Sequence, residues 1–128
     1  HEWLMAGEHL LSGGAADVVF CERGIASFDS STRNLLDLGA VALMKHVHNL
    51  AVIVDPSHAV GRRDLIPVLS KAALAAGADG LIVEVHPQPS QAKSDGPNSW
   101  PMRDMRKLLE TLQELDLIVK DKIASGDI

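Results

Sequence analysis

The stretch AVIVDPSHAVGRR, from Ala51 to Arg63, decides the fold. Its first four residues are apolar and mostly β-branched, which predicts a short strand buried on both faces, as in a parallel sheet. The polar run from Asp55 to His58 follows at once, and Gly61 opens a helical pattern. Polar residues that follow such a strand are where α/β folds keep their chemistry.

The same layout occurs twice more along the chain. A strand predicted over Val18–Cys21 ends in Glu22 and Arg23, and a strand predicted over Gly80–Val85 carries Glu84 near its end. The carboxyl ends of parallel strands meet at one edge of a sheet. We therefore expect these charged side chains to share a rim with the polar residues of the first stretch.

Apolar residues at helical spacing predict four helices that alternate with the three strands. This alternation indicates βαβ units, a parallel sheet and one α/β domain over residues 1–128. Three strands are too few to close a barrel, and the loop His86–Trp100 is long enough to be functional. The predicted helices are Glu2–Ser12, Arg33–His46 with a cap from Ser30, Ser31 or Thr32, Asp64–Ala76 and Met102–Lys120.

The composition excludes several classes of protein. Apolar residues make up 46% of the chain, enough for a core, and the net charge of −5 gives no support for a nucleic-acid surface. No apolar run approaches the ~20 residues that cross a membrane. The single cysteine, Cys21, excludes an intrachain disulfide and indicates a reducing cytoplasm. The chain opens inside a helical pattern without a Met, so we expect it to be part of a longer protein.

One imidazole and two carboxylates form a candidate metal site. His58 and Asp95 follow predicted strands and Glu84 lies near the end of one, and this ligand set suits a borderline divalent ion such as Mn, Fe, Co or Zn. From spacing alone the alternative stays open, because a histidine after a strand is more often a hydrogen-bonded loop residue. Asp95 is followed by glycine and proline, which is also the pattern of a plain turn.

Three arginines are candidates for binding small anions. Arg23 ends a buried strand, where its guanidinium group can bind a phosphate or carboxylate through two parallel N–H bonds. The alternative is an internal salt bridge with Glu22 or Asp55. Arg62 and Arg63 lie at a helix start, where backbone N–H groups also favour anions, and solvated charge is the alternative for at least one of them. The buried cysteine is expected to pack as an apolar residue.

Five motifs in one order and at one spacing resemble 3-deoxy-D-arabino-heptulosonate 7-phosphate (DAHP) synthase. The subtype they resemble is the one related to 3-deoxy-D-manno-octulosonate 8-phosphate (KDO8P) synthase. The similarity extends from about Glu2 to Leu115. The motifs are Cys21–Ile25, Thr32–Asn34, Val54–His58 with Gly61–Arg63, Glu84–Pro87 and Ser94–Gly96.

The resemblance implies a fold and a reaction. The family folds as a (β/α)8 TIM barrel, and this chain would be its C-terminal part, strands six to eight with their helices. The family condenses phosphoenolpyruvate with erythrose 4-phosphate and releases phosphate, as the first committed step towards chorismate and the aromatic amino acids. A divalent metal polarises the sugar aldehyde, a Lewis-acid role.

The resemblance also implies roles for individual residues. His58, Glu84 and Asp95 would be three of four metal ligands, and Arg23 would hold the phosphate of phosphoenolpyruvate. The turn at Asp55 would shape the site beside the metal, so that Asp55 and His58 are expected as the catalytic residues. Glu22, Arg62 and Arg63 are expected with the substrate-binding residues. The family's cysteine ligand, its Lys-Pro-Arg-Thr segment and its strand-five lysine are not in this chain.

Three alternatives remain open at this stage. Within the family, the alternative is KDO8P synthase, which uses arabinose 5-phosphate. The segment Ser94–Pro101 favours KDO8P synthase, whereas the motifs at Gly24 and Asp55 favour the DAHP enzyme. A second reading is a fragment inactive alone, whose open sheet edges pair with a second copy or with the N-terminal half of a barrel. A third is a plain anion-binding module, based on Arg23, Arg62 and Arg63.

Overall fold

The computed structural model describes residues 1–126, and over this range the chain forms an α/β unit with two small sheets. The central sheet has three parallel strands in the order β1-β2-β3. They are β1 (Phe20–Glu22), β2 (Val52–Val54) and β3 (Gly80–Leu81). A second, two-stranded parallel sheet pairs β4 (Val85–His86) with β5 (Trp100–Pro101). The prediction of an α/β fold with parallel strands is confirmed.

Five α-helices surround these strands. A π-helical turn, Leu43–Val47, continues the second helix, and a 3₁₀ turn, Arg63–Leu65, leads into the fourth. None of the helices within residues 1–126 is long and apolar enough to cross a membrane. The helices are α1 (Glu2–Ser12), α2 (Leu38–Ala42), α3 (Pro56–Val60), α4 (Ile66–Ala75) and α5 (Met102–Ser125).

The helices bury one face of the central sheet. Phe20, Val52 and Val54 point into a cluster with residues of α2 and α4, and the ring of Trp3 on α1 meets Phe20 edge-on with centroids 5.3 Å apart. A second cluster holds α5 against α4 through Ile66, Leu74, Leu108 and Leu112. Burial of these apolar side chains is the main source of stability for the arrangement.

The opposite face of the sheet is much more open. Cys21 and Ile53 are only partly buried there, and Val19 and Ile82, which share this face by strand alternation, are 56% and 42% exposed. Strands of a parallel sheet are normally covered on both faces. Val19 and Ile82 thus leave apolar surface exposed on this face of the sheet.

The predicted helix Arg33–His46 is wrong in its first part. The backbone N–H groups of Arg33 and Asn34 donate to carbonyls of α3, at 3.1 and 2.9 Å, and Leu35 pairs with Ile25 in an isolated bridge. The helix begins only after Asp37, whose carboxylate accepts from Ala40 N at 2.8 Å. Neither the two serines nor the threonine provide the cap, because tertiary hydrogen bonds hold the segment outside a helix.

The predicted strand Gly80–Val85 is divided into two short strands. β3 ends at Leu81, and the chain leaves the sheet because Glu84 N donates to the hydroxyl of Ser57 at 3.0 Å. Trp100 N then donates to the carbonyl of Glu84 at 2.7 Å, which starts the second sheet. By contrast α1 has the predicted bounds, and α5 continues beyond the predicted end at Lys120.

Candidate functional site

The site is organised by Asp55, which lies directly after β2. One carboxylate oxygen caps α3 by accepting from His58 N at 3.0 Å. The other accepts from Arg23 Nε at 3.0 Å and lies 2.8 Å from His58 Nδ1. Asp55 is fully buried, so it acts through these partners rather than by touching a ligand itself. Expected as a catalytic residue, it has the geometry of a positioning residue.

Arg23 reaches this carboxylate from the end of the neighbouring strand. The internal salt bridge with Asp55, one of the two readings left open by the sequence, is present. It does not exclude anion binding, because only Nε is used and 58% of the Arg23 side chain is exposed. A guanidinium group fixed at Nε presents its remaining donors in a rigid fork.

Glu22 shapes the backbone beside Arg23. Its carboxylate accepts from Gly24 N at 2.6 Å, and burial raises the pKa of this carboxyl. Gly24 has a φ of +90°, and a Cβ at this position would lie 2.7 Å from Cβ of Asn34. Glu22 is buried, and its carboxylate also accepts from Asp37 N at 3.4 Å, so the structure gives no support to its expected contact with substrate.

His58 faces Asp95 on the side away from Asp55. Since a carboxylate only accepts hydrogen bonds, the Nδ1–H of His58 donates to Asp55. In the neutral ring Nε2 is then an acceptor, and it lies 3.9 Å from Asp95 Oδ1. At 3.9 Å these two acceptors are farther apart than the roughly 3.3–3.6 Å between neighbouring ligands of a tetrahedral ion with bonds of roughly 2.0–2.2 Å, so a shared cation would require them to move closer together.

Glu84 is brought near this pair only through its backbone. Its N–H donates to Ser57 Oγ, and Ser57 adjoins His58 on α3. Across residues 1–126, no three side chains of His, Cys, Asp or Glu are arranged so that they would hold a metal ion. His58 and Asp95 thus lie side by side without the carboxylate of Glu84, and the role of all three as metal ligands stays a prediction.

The two consecutive arginines have separate partners. Arg62 makes two bonds to the exposed carboxylate of Asp64, at 3.1 and 2.7 Å. Arg63 turns the other way and donates from Nε to the carbonyl of Ser99 at 2.6 Å and from Nη2 to the carbonyl of Gly96. Their expected contact with substrate stays a prediction, without support from these contacts.

Cys21 lies on the open face of the sheet. Burial raises the pKa of its thiol, the charges of Asp55 and Glu22 act in the same direction, and Arg23 acts against them. The thiol is therefore kept protonated and is a poor nucleophile or ligand. The expectation that Cys21 packs in the core is wrong for this structure, because the residue lies only partly buried on the open face.

Comparison with known proteins decides the family. The model of the DAHP synthetase I family matches residues 1–121. The chain belongs to this family. The resemblance drawn from the five sequence motifs is thereby confirmed, and the buried Asp55 with its two partners lies within the matched region of the DAHP synthetase I family.

Relatives with two different names are similar to this chain. A "phospho-2-dehydro-3-deoxyheptonate aldolase" of Thermotoga maritima is 44% identical over 114 residues, which are 89% of this chain and 34% of the relative. A "2-dehydro-3-deoxyphosphooctonate aldolase" of Alkalilimnicola ehrlichii is 45% identical over 121 residues, 85% of this chain and 42% of the relative. The chain thus spans less than half the length of these relatives.

A solved structure has the same arrangement of elements. The truncated form of 3-deoxy-D-arabino-heptulosonate 7-phosphate synthase from Thermotoga maritima superposes with a TM-score of 0.84 at 42% identity. The superposition covers 91% of this chain and 45% of that one. The fold of this member of the DAHP synthetase I family is thus shared with a larger protein, of which it matches a part.

Sequence reasoning missed two features of the site. Ser57 enters the sequence argument only as part of a motif, although its buried hydroxyl joins α3 to the backbone of Glu84. The bonds from Arg63 to the segment after Asp95 are not predicted at all. The motif that contains His58 was a usable signal for Ser57, whereas a bond between residues 36 positions apart has no local signal.

Proposed function

We propose that this chain carries part of the active site of a DAHP synthase, which condenses phosphoenolpyruvate with erythrose 4-phosphate. The observation that carries the proposal is the buried carboxylate of Asp55, which joins Arg23 to His58. One buried anion thereby fixes a cation suited to a phosphate and an imidazole suited to a metal. Both groups are needed by the proposed reaction, and they are oriented by the same atom.

Arg23 binds the phosphate of phosphoenolpyruvate in this proposal. Its Nε is held by Asp55 at 3.0 Å, so the guanidinium group is oriented before the substrate arrives. Bidentate bonds from an arginine to a phosphate add direction as well as strength. The exposed fraction of the side chain, 58%, leaves the group accessible from the rim of the sheet.

His58 and Asp95 bind a divalent metal, with Glu84 as a third ligand. When bound, such an ion supplies Lewis-acid stabilisation of the oxygen of the sugar aldehyde. His58 is held with Nδ1 towards Asp55, which fixes its tautomer and directs Nε2 at Asp95. Glu84 reaches the ion only after a rearrangement of its side chain. The identity of the metal, Mn, Fe, Co or Zn, is left open by this ligand set.

The rest of the active site lies in protein outside this chain. The exposed apolar face with Val19 and Ile82 supports association with further strands, because strands of parallel sheets are covered on both faces. We propose that these are the first strands of a (β/α)8 barrel, or that a second copy covers the face. The single Cys21 agrees with a reducing, cytoplasmic location.

KDO8P synthase is the second candidate, and relatives named for that activity favour it at 42–45% identity. The superposed structure of the Thermotoga maritima DAHP synthase favours the first. A steady-state assay on the complete polypeptide, with erythrose 4-phosphate and arabinose 5-phosphate compared at equal concentration, separates them. Higher kcat/KM with erythrose 4-phosphate supports the proposal, and higher kcat/KM with the five-carbon sugar phosphate overturns it.

The role of Arg23 is tested in the same assay. Arg23→Lys keeps the charge but loses the fork, and we expect KM for phosphoenolpyruvate to rise by about 10- to 100-fold, since a bond to a charged group contributes about 1.5–3 kcal/mol. Arg106→Lys is the matched control, because Arg106 contacts only the exposed Glu110. An unchanged KM for phosphoenolpyruvate in the Arg23 variant would remove this residue from the site.

A further inference from the structure

The segment Asp95–Ser99 is held in an unusual backbone conformation. Asp95 has a φ of +54°, in the left-handed region that residues other than glycine seldom adopt. Its carbonyl accepts from Asn98 N at 3.1 Å and from Ser99 Oγ at 2.7 Å. Backbone conformations of this kind persist where the surroundings hold them, and they concentrate at functional sites.

Arg63 holds this segment from the side of α4. Its guanidinium group donates from Nε to the carbonyl of Ser99 at 2.6 Å and from Nη2 to the carbonyl of Gly96. The two acceptors lie on either side of the turn that follows Asp95. On the far side a Cβ at Gly96 would lie 2.7 Å from the carbonyl oxygen of Pro89, so the backbone there is already in close contact.

We propose that Arg63 is a positioning residue for Asp95, which it holds with the carboxylate directed at His58 Nε2. The 3.9 Å between Asp95 Oδ1 and Nε2 depends on the backbone of the turn, and two bonds from one rigid guanidinium group fix that backbone. This inference rests on the proposed function, because the carboxylate and imidazole are placed for a metal ion. In this proposal Arg63 does not bind an anion, and instead holds the backbone that carries Asp95.

Lysine is the informative substitution at position 63. It keeps the positive charge and the long side chain, but its single ammonium group lacks the planar fork that reaches two carbonyls at once. Arg63→Gln, which removes the charge, is made alongside in case one of the two variants does not fold. The matched control is Arg106→Lys, an exposed arginine paired with Glu110 at 3.0 Å.

The first measurement does not depend on any metal. Amide hydrogen exchange of the segment 95–99 is compared among the wild-type protein and the variants by mass spectrometry. We expect exchange at Asn98 and Ser99 to become at least several-fold faster in Arg63→Lys and to be unchanged in Arg106→Lys. Equal protection in Arg63→Lys and wild type would overturn the proposal.

The second measurement uses Mn²⁺ as the probe, with its affinity read from the free-ion signal in electron paramagnetic resonance. We expect Arg63→Lys to weaken Mn²⁺ binding by about 10- to 100-fold, the usual effect of losing an outer partner of a ligand. In an Asp95→Asn background the same substitution should cause no further loss, because Arg63 acts through Asp95.

The two measurements separate the possible failures. Faster exchange with unchanged Mn²⁺ affinity would overturn the positioning role, and so would an equal loss of affinity in the Asp95→Asn background. Absence of Mn²⁺ binding by the wild-type protein would overturn the proposed metal site, while the exchange data would still decide whether Arg63 holds the segment.

Discussion

The substitution Asp55→Asn tests the centre of the site. Asparagine has the same shape and caps a helix as well as aspartate does, so the bond from His58 N is kept. The charge is lost, and with it the charge-assisted bond from the Nδ1–H of His58, which as a bond to a charged group contributes about 1.5–3 kcal/mol. The bond from Arg23 adds only about 0–1 kcal/mol, since 58% of its side chain is exposed.

The expected loss in the free energy of unfolding is therefore about 1.5–4 kcal/mol. Urea denaturation, followed by the fluorescence of Trp3 and Trp100, measures it. Asp104→Asn is the control, because this aspartate is exposed on α5 and its contact with Arg103 is 3.6 Å long. An Asp55→Asn variant as stable as the control would refute the reasoning that a buried carboxylate holds the site together.

The same variant has a spectroscopic signature. In the wild-type protein the proton of neutral His58 resides on Nδ1, because Asp55 accepts it. The side-chain amide introduced by Asp55→Asn can also donate, so we expect the Nε2–H tautomer to gain population in the variant. Nitrogen chemical shifts of the imidazole distinguish the two tautomers. A wild-type ring protonated mainly on Nε2 would contradict the described geometry.

Three further predictions concern packing, pH and activity. Gly7→Ala should destabilise the protein by about 1–3 kcal/mol in thermal or urea unfolding, because the new Cβ would overlap Cζ of Phe20. Gly13→Ala is the control and should not destabilise the protein, because a Cβ there has no contact below 3.4 Å. The pKa of Glu22 is raised in the folded state, so the protonated carboxyl contributes to the free energy of unfolding at low pH. This contribution is lost as the pH rises through the raised pKa. We therefore expect the wild-type protein to lose stability relative to Glu22→Gln as the pH approaches neutral. The 128-residue chain assayed alone should show no turnover, since the resemblance requires groups that it lacks.

Each of these has a contradicting result. Gly7→Ala as stable as Gly13→Ala would show that Phe20 moves aside without cost. A constant stability difference between wild type and Glu22→Gln across acidic and neutral pH would show that the carboxyl does not titrate differently on folding. Measured condensation by the purified 128-residue chain would show that the site is complete without further protein.

Local patterns predicted the elements whose stability is local. The spacing of apolar residues placed α1 at its observed bounds, and the run of β-branched residues placed β2 within its predicted range. Arg33–Asp37 reads as helical by the same criterion, but the first backbone donors of this stretch bond to carbonyls of α3, far along the chain. The spacing of residues within a segment carries no information on such long-range bonds.

The residues of the candidate site could be predicted from local sequence, whereas most of their long-range contacts could not. The residues at the strand ends could be named from the sequence, because parallel strands deliver their carboxyl ends to one rim. The salt bridge from Arg23 to Asp55, 32 positions away, could be named only as one of several alternatives, and the bond from Arg63 to Ser99, 36 positions away, could not be named. For Arg63 the sequence left anion binding and solvated charge as alternatives, whereas in the structure it donates to backbone carbonyls.

The most direct test of the account is the location of Mn²⁺ in crystals of the complete polypeptide. An anomalous difference map at the manganese edge reports the ion without reference to activity. We expect a peak roughly 2.0–2.3 Å from both His58 Nε2 and a carboxylate oxygen of Asp95, with the side chain of Glu84 turned towards the ion. A bound ion elsewhere, with His58 and Asp95 still facing each other unliganded, would contradict it.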